Sequence, residues 1–299
     1  MSLKSEIETS IKQATIGLDI PWMLAEWATR QPDKLALVWE PFEGESKSWS
    51  YSQLQSDAKS VAAGLVGRGV TEGDFVLIHL DNCPEFVIAW YACAMLGAVA
   101  VSTNTHSVAR DLEYFSNHTD AVCAITQPSF AKLISQSCQK LNFIAVTDND
   151  AGVPAEAASL LSEIGAVSFA ALFDSVSVVP ALKPDPMRNL SVQFTSGTTS
   201  RPKAVLWTHA NGLWAGKISA VHMRLQRDDV TLVYMPLFHT NAQGYSMLAT
   251  HWSGGTIVLQ PKFSASRFWN ISKKHQVTWV SMIPFAFKAL MSQPVPKHN

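Results

Sequence analysis

Apolar and polar positions along this chain fall into short apolar runs separated by amphipathic stretches. The runs "KLALVWE" (34–40) and "KSWSY" (47–51) are strand-like and flank a turn-rich "PFEGES". Ser50 stands three residues before Gln53, the spacing of a capping box, and Leu54, Ala58, Val61, Ala62 and Leu65 then share one helical face. Gly67 and Gly69 close that helix. The series continues with a strand over 75–80 and a helix over 84–96, capped by Asp81 or Asn82 and carrying Pro84 in its first turn. A strand over 98–102, a helix over 107–117, a strand over 121–126, a helix over 128–140 and a strand over 143–148 follow.

These strands are near-continuous apolar runs, as expected where helices cover both sheet faces. Strand and helix in strict succession imply parallel, right-handed crossover units, so the fold class is α/β with layered sheets flanked by helices. Two looser segments, 148–159 and 180–189, interrupt the rhythm. The second leads into further strands expected near 191–194, 204–208, 230–235, 255–260 and 277–283, with helices near 210–224, 241–252, 264–275 and 285–292. We divide the chain into a first α/β subdomain, 1–180, and a second, 181–299.

Composition narrows the function classes. The 299 residues are 47% hydrophobic, with 23 basic and 24 acidic residues and no Lys/Arg-rich run, which gives nucleic-acid binding no support. Cys83, Cys93, Cys123 and Cys138 form no CxxC pair, so they read as reduced, buried thiols of a cytoplasmic protein. The nine histidines lack HxH or HExxH spacing, and no metal ligands are assigned. The start has alternating charge and no apolar core, unlike a signal peptide. The apolar stretch 86–101 is short for a membrane span and is broken by Gly97.

One stretch carries chemistry. "TSGTTSRPK" (195–203) lies between two strand patterns and is rich in hydroxyls. Taken alone, such a composition also suits a solvated turn. Gly197 permits close approach of a ligand, and Thr195, Ser196, Thr198 and Thr199 can donate with the loop amides to phosphate oxygens. Lys203 supplies a point cation at the loop's end. The loop is neither a GxxxxGK[ST] sequence nor a GxGxxG fingerprint. The string "GYSML" (244–248) lacks the second glycine of a hydrolase elbow.

"TSGTTSRPKAV" closely resembles the phosphate-loop signature of the AMP-forming acyl-CoA synthetases, the adenylate-forming ligase superfamily. It departs from the usual form at Ser200 and Ala204, where glycines are common. The Ser-Arg-Pro-Lys form looks most like the carnitine/crotonobetaine-CoA ligase branch. "YMPLFHTNAQGY" (234–245) is similar to the family's turn that sets an aromatic or His beside the acyl group. "THANG" (208–212) also matches, with His209 read as structural.

The resemblance implies the large N-terminal domain of such an enzyme, incomplete at its C-terminal end and lacking the C-terminal domain. It implies ATP, Mg²⁺ and CoA as cofactors, a small carboxylic acid as substrate, and compatibility with a homodimer. Thr195, Ser196, Gly197, Thr198, Thr199 and Lys203 would hold the nucleotide phosphates. Lys203 and His239 would be catalytic, and His239 and Asn241 would meet the acyl substrate. The family's later adenine and ribose motifs are not found here, so the chain reads as a piece of a longer enzyme, inactive by itself. The alternative is a non-catalytic nucleotide- or acyl-binding module. In either case Lys203 should lie near a cleft that also contains His239.

Overall fold

The computed structural model describes residues 14–155, 157–195 and 201–293. Its first described complete element is helix α1 (Ile20–Arg30), which the sequence pattern did not predict. Asp19 caps it by accepting from the Trp22 N–H, and Pro21 sits in its first turn. Then follow β1 (Leu35–Trp39), β2 (Lys47–Ser50), α2 (Tyr51–Val66), β3 (Phe75–His79), α3 (Pro84–Leu96) and β4 (Val99–Ser102). Next are α4 (Ala109–Thr119), β5 (Cys123–Thr126), α5 (Pro128–Ser137) and β6 (Phe143–Val146). A short ribbon of β7 (Asn149–Asp150) and β8 (Val153–Pro154) precedes α6 (Ala157–Ile164) and β9 (Val167–Ser168).

After the second loose segment come β10 (Asn189–Phe194), β11 (Ala204–Thr208), α7 (His209–Met223) and β12 (Val230–Val233). A π-helix (Asn241–Leu248) runs into α8 (Ala249–Ser253), where the sequence predicted one regular α-helix. The described chain closes with β13 (Thr256–Leu259), α9 (Ala265–Lys274), β14 (Trp279–Val280) and α10 (Pro284–Met291).

The strands form a seven-stranded sheet in the order β11-β10-β4-β3-β5-β6-β9 and a five-stranded sheet in the order β14-β12-β13-β1-β2. All pairings in them are parallel except β10 with β11 and β1 with β2. Both sheets cut across the expected 1–180 and 181–299 division. β1 pairs with β13, Leu37 opposite Ile257, and β10 pairs with β4, Val192 opposite Val101. Periodicity finds strands, but pairing over such separations depends on which faces can bury each other.

Helix α3 explains the most hydrophobic stretch of the sequence. All its residues except Glu85 and Met95 are buried, so it is apolar all round because it lies inside the molecule. Among the described residues no helix is long and apolar enough to cross a membrane. Its C-terminus stops at Gly97, whose φ of 80° is the left-handed value that ends helices. The helix N-cap is Cys83, not Asp81 or Asn82. Asn82 ties the two sheets together instead. Its Nδ2 donates to Met235 O at 2.9 Å and Gln260 O at 3.1 Å, and its Oδ1 accepts from Leu237 N at 2.8 Å.

Helix α2 has the predicted capping box between Ser50 and Gln53, and its predicted face is fully buried. The four cysteines are free and buried, and burial raises each thiol's pKa.

Candidate functional site

The loop of interest joins the antiparallel strands β10 and β11, whose last register pair is Phe194 with Ala204. One step further, the Thr195 N–H donates to Lys203 O at 3.0 Å. The Lys203 N–H returns a bond to Thr195 Oγ1, also at 3.0 Å. Thr195 and Lys203 are both exposed. Ser196, Gly197, Thr198 and Thr199 lie outside the described residues.

The returning limb of the loop is fixed on α4. Tyr114 Oη donates to Pro202 O at 3.1 Å, and the Arg201 guanidinium sits 5.5 Å above the Tyr114 ring. Phe194 stacks on Phe115 with centroids 4.0 Å apart, which anchors the outgoing limb. A cleft of about 680 Å³ opens here, lined by Arg110, Tyr114, Asn117, Arg201 and Pro202 among others.

The second predicted motif follows β12 in the other sheet. Asn82 holds the Leu237 N–H, and the His239 N–H donates to Pro236 O at 3.0 Å, closing a turn. Phe238 is buried, and its ring centroid lies 4.4 Å from that of His239. His239 is exposed, yet its partial burial lowers its pKa, which favours neutral imidazole. Asn241 opens the π-helix, and its buried Oδ1 has no hydrogen-bond partner among the described residues. Single π-helical turns are frequent at functional sites.

No hydrogen bond joins Lys203 to His239 among the described residues. The two motifs meet through a residue the sequence pattern passed over, Gln193 on β10. Its Oε1 accepts from Thr240 Oγ1, and its Nε2 donates to Gln243 Oε1 at 2.9 Å. The available signal was a buried amide two residues before the loop, in a strand that also carries Asn189 and Ser191.

A second groove, about 450 Å³, lies on the Thr240 side of this bridge. Val205, Leu206, Trp207, Trp214, Ile218 and Tyr245 supply its apolar lining, and among the described residues no charged side chain lines it. Gly244 admits the Trp207 ring closely, since a Cβ there would stand 3.3 Å from it. His209, read as structural, is buried at the start of α7. Its Nδ1 accepts from the Ile20 N–H at 3.2 Å, and burial lowers its pKa to about 3.

A family model for AMP-binding enzymes matches residues 24–299. The chain is similar to the crotonobetaine/carnitine–CoA ligase of Salmonella paratyphi A, 33% identical over 283 residues, covering 93% of this chain and 53% of the relative. Similarity to the Escherichia coli O127:H6 protein of the same name is 33%, covering 89% of this chain and 51% of the relative. The chain thus spans about half the length of the curated relatives it matches. Among solved structures, the Mycobacterium smegmatis MbtA apo structure superposes with a TM-score of 0.81 at 25% identity, covering 94% of this chain and 52% of that one. The Bacillus subtilis O-succinylbenzoate coenzyme A synthetase in complex with AMP gives 0.75 at 23%, covering 92% and 65%.

Proposed function

This chain belongs to the AMP-binding enzyme family, and from that premise we propose that the whole protein is an ATP-dependent acid–CoA ligase. A substrate carboxylate oxygen attacks the α-phosphorus of ATP, forming an acyl-adenylate as pyrophosphate leaves. The CoA sulfur then attacks the acyl carbonyl, and AMP leaves. ATP enters as its Mg²⁺ complex.

Lys203 and the hydroxyls of Thr195, Ser196, Thr198 and Thr199, with the Gly197 amide, hold the departing phosphates. Such groups act by stabilising charge where it develops. His239 and Asn241 border the acyl group, with the imidazole neutral and therefore able to accept or donate. The observation that carries this reading is the Gln193 bridge, which brings the loop strand and the acyl turn into one buried network. The substrate proposed is a monocarboxylic acid, because the uncharged groove beside Thr240 offers no cation to pair a second carboxylate. The relatives' carnitine and crotonobetaine satisfy that condition, as do alkyl and aromatic acids. Free buried thiols fit a reducing compartment, and the cytoplasm is the proposed location.

The test is pyrophosphate exchange by the full-length protein over a panel of mono- and dicarboxylic acids, followed by CoA-dependent AMP release. Exchange with monocarboxylic acids and thioester formation are expected. ATP binding without exchange for any acid would favour the non-catalytic module instead.

A further inference from the structure

We propose that Gln193 is a positioning residue that couples the nucleotide loop to the acyl turn, so that the placement of Thr240 sets how tightly the loop holds ATP. This inference rests on the nucleotide reading of the loop given above. Gln193 lies two residues before Thr195, and its backbone is held between Ser102 of β4 and Val205 of β11. The side chain is therefore the part of this residue that reaches across to the other motif.

Its two amide atoms serve different points of one segment. Oε1 takes the Thr240 hydroxyl, while Nε2 donates to Gln243, three residues on. Gln243 extends the network back along the turn. Its Nε2 donates to Leu237 O at 3.3 Å, and its N–H donates to His239 O at 3.0 Å. One glutamine on the loop strand thus grips a segment, 237–243, that includes His239.

Burial gives this grip its stiffness. Gln193 is 7% exposed and Gln243 is 0% exposed, so neither amide can turn to water if a partner moves away. A buried amide left without its partner is costly, and networks of such bonds respond as units. An apolar side chain at 193 would carry no such liability. A ligand that shifts the turn at Thr240 must either carry Gln193 with it or break the bond. Either response reaches Thr195 and Lys203 through the strand. By linkage, ATP on the loop changes acid affinity at the turn by the same factor.

The experiment is a calorimetric titration of Mg-ATP into the full-length protein and its variants. Thr240→Val should weaken ATP binding about fivefold, the equivalent of one lost buried hydrogen bond. In the Gln193→Met background the same change should have little further effect, within about twofold, since the bond is already absent. Thr240→Ser keeps the hydroxyl and should match the native protein. Gln193→Glu keeps an acceptor for it and should retain sensitivity to Thr240→Val, and Gln193→Leu, which also lacks the acceptor, replaces Gln193→Met if thermal unfolding shows that variant is not folded. An equal effect of Thr240→Val in the native protein and in the Gln193→Met or Gln193→Leu background, or no effect in either, overturns the coupling. A native protein that binds no Mg-ATP overturns the nucleotide reading beneath it, an outcome distinct from additivity.

Discussion

Thr195 and Lys203 face each other across the base of the loop and exchange two 3.0 Å hydrogen bonds, one to the lysine carbonyl and one to the threonine hydroxyl. The first lies one step beyond the last register pair of the β10–β11 ladder. The second is a side-chain bond that only a hydroxyl at 195 can make in this geometry.

Thr195→Val should therefore lower ATP affinity, and Thr195→Ser should restore it. Loss of one such bond to an exposed pair is worth on the order of 1 kcal/mol, about fivefold in affinity. Titration of the three proteins with Mg-ATP checks this. A valine variant that binds as the native protein does would leave the hydroxyl without a role in shaping the loop.

Lys203→Ala should impair ATP use far more than use of a preformed acyl-adenylate. The cation is assigned to phosphates that leave in the first half-reaction, and a group of this kind is typically worth about 3 kcal/mol in the transition state, or roughly 150-fold in rate. Comparing kcat/KM for ATP with the rate of thioester formation from synthetic adenylate separates the steps. Equal losses in both would show that Lys203 serves folding.

Gly64→Ala should destabilise the protein although alanine is the better helix former. Gly64 lies within α2, where the exchange ordinarily gains about 1 kcal/mol. Here an added Cβ would come within 2.7 Å of three Leu172 backbone atoms, including the carbonyl oxygen. That contact is backbone on backbone and cannot be relieved by a rotamer change. Urea midpoints should fall for the variant, and a midpoint at or above the native one would mean that the contact relaxes freely.

Stability should decline as pH drops from 6.5 towards 4, in part through His251. Its Nδ1 accepts from Tyr91 Oη at 2.6 Å and its Nε2 donates to Ala36 O at 3.2 Å, so the ring is held neutral. Burial lowers its pKa from 6.5 to about 4. The folded state thus resists a proton that the unfolded chain accepts below pH 6.5, and stability falls through that window until the folded form also titrates. The slope approaches about 1.4 kcal/mol per pH unit for one such group. His251→Gln should flatten the dependence of the urea midpoint on pH between 6.5 and 4. An unchanged slope would remove His251 from the list of contributing groups.

The strand-helix succession was legible because each run is short, apolar and bounded by Gly, Pro or a cap. Helix α3 was read to the residue, since Pro84 and Gly97 mark both ends. Helix α1 was missed although Asp19 and Pro21 announce it. Asn82 looked like a cap by position, whereas its bonds run to Met235, Leu237 and Gln260, which no local pattern reveals. The sheet order was hidden for the same reason. Of the site, the loop strands and the His239 turn were legible as motifs. Gln193 was not, since its partners Thr240 and Gln243 lie some fifty residues on, at the start of the π-helix after β12, which no local pattern reveals.

The interleaving of the sheets has a consequence for the chain as it is made. β1 emerges early, yet its parallel partner β13 follows roughly 220 residues later, Leu37 opposite Ile257. At about 5–20 residues per second, that flank of β1 waits on the order of ten to forty seconds at the ribosome. Leu37, Val38 and Trp39 are meanwhile without the neighbours that bury them, and they form an apolar, hydrogen-bonding edge of the kind that recruits other chains. The antiparallel hairpin with β2 can close one flank at once, leaving the other to whatever shields nascent chains until residue 259 has cleared the exit tunnel.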